Sequence, residues 1–389
     1  MSKKTIIALV MLAALLLAEF SLAAPLTSKP QSMPKAYSTG AHGANEVPPG
    51  KSPLTGLDFH GEYRPVVVQI SNSDAARPHL NMADADIVYE AVYWGPAHTR
   101  YTVIYNDVHP DLVGAVRSAR VYHLEIRDEW DAPLVFWGGQ NTPGTSIYDY
   151  IKEKNIPGSF LFDGTKGNPA GTLSRINTRV SPHNAVANLA QIVQNHWPIN
   201  EETGQPHKPR QHAFKFSSMP TRGTDTAKEI NIKYDEKGEY NPSYTFNEAT
   251  RQYERWYNGV EQVDGESGRR LTASNVIVQY ADLRFHNQIA SRPVINTVGM
   301  GVMEAFIDGQ YIRGTWERKS LRDRTVFLDI GGNEITMLPG KTFIQIIPSY
   351  ASYTYTTNTG EVKTTDIGMQ VARSLIEIDD VEIDVVEGM

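Results

Sequence analysis

Two kinds of hydrophobic pattern follow one another along the chain. Between Pro53 and about Arg210, β-branched runs alternate with stretches of helical spacing. Val66–Ile70 is β-branched except at Gln69, as a strand buried on both faces requires. Asp86–Tyr93 and Arg100–Tyr105 read as two more strands, separated by Gly95–Pro96, and Leu134–Trp137 as a fourth, closed by Gly138–Gly139. Arg117–Trp130 predicts a helix with mixed faces. Ser181–Trp197 predicts the clearest helix. There Ser181 is the N-cap, Pro182 the first helical residue, and Val186, Leu189, Ile192, Val193 and Trp197 form one stripe. Strand and helix in alternation imply an α/β domain over 53–211.

From about His212 the pattern shortens. Ala213–Phe216, Ile230–Tyr234, Tyr244–Phe246, Tyr253–Tyr257, Val276–Tyr280, Val302–Ile307, Thr325–Ile330, Ile335–Leu338 and Phe343–Ile347 are aromatic or β-branched runs. Turn pairs such as Asn258–Gly259, Asp264–Gly265 and Asp308–Gly309 punctuate them. This predicts an antiparallel, β-rich domain over 212–348, a sandwich or small barrel, and an α+β fold for the whole chain. The two domains are expected to enclose separate cores with an extensive mutual interface. Residues 349–389 read as an acidic tail. Tyr353 and Tyr355 alternate with Thr, and Ile376–Glu387 alternates Ile and Val with acids, which suits either an edge strand or a solvated, partly disordered segment.

The N-terminus changes the picture of compartment. Lys3 and Lys4 precede the apolar stretch Ile6–Ala18, which is too short to span a bilayer, and Ser21 and Ala23 supply the small-x-small pattern of a cleavage site. Residues 1–23 therefore read as a signal peptide, and the mature chain as exported, extracellular or envelope-associated, with no transmembrane segment. Residues 24–52 hold Pro25, Pro30, Pro34, Pro48 and Pro49 among small and polar residues, the composition of a flexible linker. The 389 residues contain no cysteine, which excludes disulfides, thiol nucleophiles and a lipid-modified cysteine in this sequence. With 37 Lys+Arg against 44 Asp+Glu, the net charge of −7 argues against nucleic acid as the main partner.

The candidate chemistry lies in arginines near two predicted helix starts. Arg117 and Arg120 fall three apart, on one face of a helix beginning near Ser118, beside free backbone N–H groups. Arg175 precedes the second helix, and His183 and Asn184 sit in its first turn. Arg77 and Arg100 lie at strand ends and could converge on the same edge. Guanidinium groups grip phosphate and carboxylate by two parallel hydrogen bonds, so an anionic ligand is expected. Glu90 and Asp86 are the candidate catalytic carboxylates. Glu90, inside a predicted strand, is either an ion-pair partner of an arginine or a general acid/base. His183 is either a capping residue or a neutral acceptor. No nucleophile elbow, phosphate loop or metal-ligand spacing is present, so neither a metal nor a cofactor is expected.

Several blocks together resemble the YerB-like bacterial lipoprotein family, a domain of unknown function. They are Ala76-Arg77-Pro78, Ala83-Asp84-Ala85-Asp86-Ile87-Val88-Tyr89-Glu90, Thr99-Arg100-Tyr101, Val116-Arg117-Ser118-Ala119-Arg120 and Ser181-Pro182-His183-Asn184. Tyr253-Glu254-Arg255, Gly314-Thr315-Trp316 and Leu338-Pro339-Gly340-Lys341-Thr342 extend the likeness to about Pro348. The resemblance implies an exported envelope protein of two coupled domains, and it implies no reaction. Here Ser71 precedes Asn72 where the family usually has an acid, Trp94 replaces another usual acid, and the lipid-bearing cysteine is missing. Asn72 accordingly joins the ligand-binding candidates. The order of elements is also similar, remotely, to the LytR–CpsA–Psr glycopolymer transferases. Two functions follow as expectations. One is binding of an anionic group on a cell-envelope polymer, lipid carrier or envelope protein. The other is a transferase or hydrolase acting on a phosphate-linked glycan or polyprenyl pyrophosphate.

Overall fold

The computed structural model describes residues 43–365 except 96, 235–239, 287–288 and 349. The expected signal peptide, most of the expected linker and the tail beyond 365 lie outside the described residues. The chain folds around an 11-stranded mixed sheet. Its principal strands are β1 (Val66–Ser71), β2 (Ile87–Trp94), β3 (His98–Tyr105), β4 (Leu134–Phe136), β5 (Leu161–Asp163), β6 (Asn275–Tyr280), β7 (Gly299–Ile307), β8 (Gln310–Arg318) and β9 (Thr342–Ile347). In space they run β8-β7-β6-β9-β2-β3-β1-β4-β5. Hairpin neighbours pair antiparallel, whereas β9 lies parallel to both β6 and β2. Three helices occur among the described residues: α1 (Val121–Trp130), α2 (Ile147–Glu153) and α3 (Leu189–Asn195).

Alternation assigns the two faces of the sheet. Ile87, Tyr89 and Ala91 of β2 join Ile344 and Ile346 of β9, Met303 and Ala305 of β7, and Tyr122 and Trp130 of α1 in one core. The intervening residues face a second, seven-stranded sheet. Pro242–Asn247, Gln252–Tyr257, Glu229–Lys233 and Ser352–Thr356 are among its strands. The fold is thus mostly β, with α1 and α2 on one face of the large sheet and the smaller sheet on the other. Neither sheet closes into a barrel among the described residues. The expected hairpin turns are present: Asn258–Gly259 and Asp308–Gly309 all take positive φ.

Four expectations change. Residues 53–211 and 212–348 do not enclose separate cores, because β9 inserts beside β2 and one sheet runs through both. The helix at Arg117 begins at Val121, since Arg117 N donates to Gln69 O at 2.8 Å and Trp137 N to Arg117 O at 3.0 Å, drawing 117–119 into the sheet's end. The helix expected from Ser181 is instead the short strand Ala185–Ala187, paired to Leu173–Arg175, followed by α3. At the ends, Asn45 Nδ2 donates to Glu334 Oε1 at 2.7 Å and Tyr353 is buried, so both the late linker and the early tail are packed.

Candidate anion-binding site

The predicted site residues fall into two groups on opposite faces of the large sheet. In β2 and β3, Glu90 opposes Tyr101 and Ala91 opposes Arg100, so Glu90 and Arg100 project to different sides. Between the two sheets, Glu90 is fully buried and Arg255 Nη2 donates to its Oε2 at 2.6 Å. Its Oε1 accepts from Asn72 Nδ2 at 2.9 Å and Thr99 Oγ1 at 2.6 Å. Arg77 donates to Asn72 Oδ1 at 2.6 Å and stacks 3.4 Å from the Tyr257 ring centroid. Asp86 lies farther along, where its Oδ2 accepts from the backbone of Asn106 and Asp107. Burial, then the Asp107 charge, raises its pKa well above the carboxylate range. These residues form a filled polar core. Neither carboxylate reaches the arginines of the other face.

On the helix side, Arg100, Arg117 and Arg120 gather around Tyr93. The Arg100 guanidinium lies 3.7 Å from the Tyr93 ring centroid and that of Arg120 lies 5.4 Å away. Arg100 Nη1 donates to Ser118 O, and Arg120 Nη1 to Ala119 O at 2.9 Å. Arg120 caps α1 through its backbone, whose N–H donates to His123 Nδ1 at 2.8 Å. Arg175 stacks 4.1 Å from the Trp137 centroid and donates to Asn184 Oδ1 at 2.6 Å. His183 Nδ1 is 3.1 Å from Ser73 Oγ, and burial together with Arg117 and Arg179 lowers its pKa, leaving the imidazole neutral.

The charge of this group is unbalanced. Among the described residues, no carboxylate lies within ion-pair distance of Arg100, Arg117, Arg120 or Arg175. Arg100 is 3% exposed and Arg120 8% exposed, and the Nε atoms of Arg100, Arg117 and Arg120 are buried without a hydrogen-bond partner. Burial and the neighbouring cations pull the pKa of Arg100 down to about 9 and that of Arg120 to about 10, and they lower that of Arg117. A guanidinium keeps its proton, so the repulsion persists until an anion enters.

Sequence reasoning missed Arg292, which stacks 3.6 Å from the Trp94 centroid, acts electrostatically on Arg120 and has an unpartnered Nε. Nothing local distinguishes Arg292 in the sequence. It also left Arg255 without a role, although that residue interrupts the inward alternation Tyr253, Arg255, Tyr257 with a charge, a detectable signal.

The family model for the N-terminal domain of the protein of unknown function DUF3048 matches residues 54–198. The model for the C-terminal domain of the same family matches residues 230–344. The YerB protein of Bacillus subtilis (strain 168), named provisionally as a lipoprotein, is 27% identical over 309 residues, 77% of this chain and 86% of its own. A crystal structure of the Bacillus subtilis YerB protein superposes with a TM-score of 0.65 at 26% identity, covering 78% of this chain and 99% of that one.

Proposed function

Because the chain belongs to the DUF3048 family, with both of its domains in order, we propose that it is an exported cell-envelope protein that binds an anionic group through its arginine cluster. One observation carries this reading. Arg100, Arg117 and Arg120 share Tyr93 with no counter-carboxylate among the described residues, and two of them are more than nine-tenths buried. Cations desolvated together are costly unless something negative sits among them, and a phosphate or carboxylate meets the guanidinium fork. The transferase or hydrolase alternative gains no comparable support, because Glu90 and Asp86 are committed on the opposite face.

The test is thermal denaturation of the full chain with and without pyrophosphate, at low and at high salt. Pyrophosphate is expected to raise the melting temperature of the wild type at low salt. The Arg117→Ala/Arg120→Ala double variant is expected to melt higher than wild type without ligand, because repulsion is relieved, and to gain nothing from pyrophosphate. Arg117→Lys should lose nearly as much binding as Arg117→Ala, since an ammonium lacks the fork. Equal responses of wild type and double variant would overturn the reading.

A further inference from the structure

With Arg175 and Arg292 included, the arginines extend beyond the cluster at Tyr93 into a row across the sheet. Trp137 follows β4 and carries Arg175 on its ring. Its backbone N donates to Arg117 O at 3.0 Å, placing Arg117 next in the row. Arg100 stands on β3 and Tyr93 near the end of β2, and Trp94 closes β2 with Arg292 against it. The strands run β4, β1, β3, β2 in that order, three spacings, so the row extends over roughly 14 Å. Each end is marked by a guanidinium on a tryptophan. The electrostatic neighbours follow the same order: Arg175 acts on Arg117, Arg117 on Arg100 and Arg120, and Arg292 on Arg120.

Building on the anion-binding reading above, we propose that the ligand is a linear polyanion, a chain of phosphate or phosphodiester groups lying along the row from Arg175 to Arg292. A phosphate offers oxygens on several sides and can bridge successive guanidiniums, which a single head group at the centre would leave unused at both ends. The polymer is not a nucleic acid. Tyr93, Trp94 and Trp137 each carry a guanidinium where a base would need a stacking platform.

Calorimetric titration of the full chain at low salt with orthophosphate, pyrophosphate, long-chain polyphosphate and an oligothymidylate separates the outcomes. Long-chain polyphosphate should bind about tenfold or more tighter than pyrophosphate, with a steeper salt dependence. Arg175→Gln and Arg292→Gln should each weaken the polymer several-fold, and Arg292→Gln, outside the central cluster, should leave pyrophosphate unchanged. If pyrophosphate and polymer bind alike and the end variants change neither, the row is unused and only the central anion site stands. If neither ligand binds, both readings fall. Oligothymidylate binding as tight as polyphosphate overturns the choice of polymer.

Discussion

Single residues decide the two faces of the sheet differently. Glu90 looked like a charge in need of a partner, and the partner is Arg255, 165 residues away. No local pattern reports a contact of that range, so the arginines nearer in sequence appeared to be the better candidates. Glu90→Ala would strand the Arg255 guanidinium, and a loss of about 3–5 kcal/mol is expected in urea denaturation. Glu304 is a separate case. Fully buried, it accepts from the hydroxyls of Tyr311 and Tyr353, and burial pushes its pKa up to about 7. The folded state therefore holds a proton that the unfolded chain releases near pH 4.5. Stability should fall as pH rises from about 4.5 to about 7 and then level, by an amount on the order of 3 kcal/mol. Glu304→Gln should remove that slope, measured as unfolding free energy at pH 5 and pH 8.

At the level of elements, strands were legible and helix starts were not. Val66–Ser71, Gln252–Tyr257 and Thr342–Ile347 sit within a residue of their hydrophobic runs, because alternation is imposed by the faces they bury. The sequences around Arg117 and Ser181 carry genuine helix signals, yet sheet hydrogen bonds to Gln69 O and the pairing of Ala185–Ala187 override them. Of the arginines expected together, Arg100, Arg117, Arg120 and Arg175 lie on one side and Arg77 does not, and extended backbone, not a helix turn, presents Arg117. The block Gly314-Thr315-Trp316 has a physical reason in the pairing of β8 with Val326–Asp329. A Cβ at Gly314 would collide with the carbonyl oxygen of Leu328. Gly314→Ala is expected to cost about 1–3 kcal/mol, read as a lower urea midpoint.

The described residues share one large sheet and one core beneath it. Ile87 and Tyr89 from the first half pack with Ile277, Met303 and Ile344 from the second. Far-ultraviolet dichroism and tryptophan fluorescence should therefore report coincident unfolding transitions; two separated transitions would show independent halves. A fragment ending at residue 211 would leave the β9 side of β2 unpaired from Ile87 to Ala91. It is expected to bind anilinonaphthalene sulfonate and aggregate rather than unfold cooperatively.

The position of β9 also governs the timing of folding. The strand that joins the two halves comes after every other strand of the large sheet in sequence, so a ribosome must release residue 342 before β2 and β6 can both be paired in parallel. Such long-range parallel pairing is intrinsically slow. Until then the sides of β2 and β6 that β9 will occupy stay open, and the large sheet is completed only when that strand arrives.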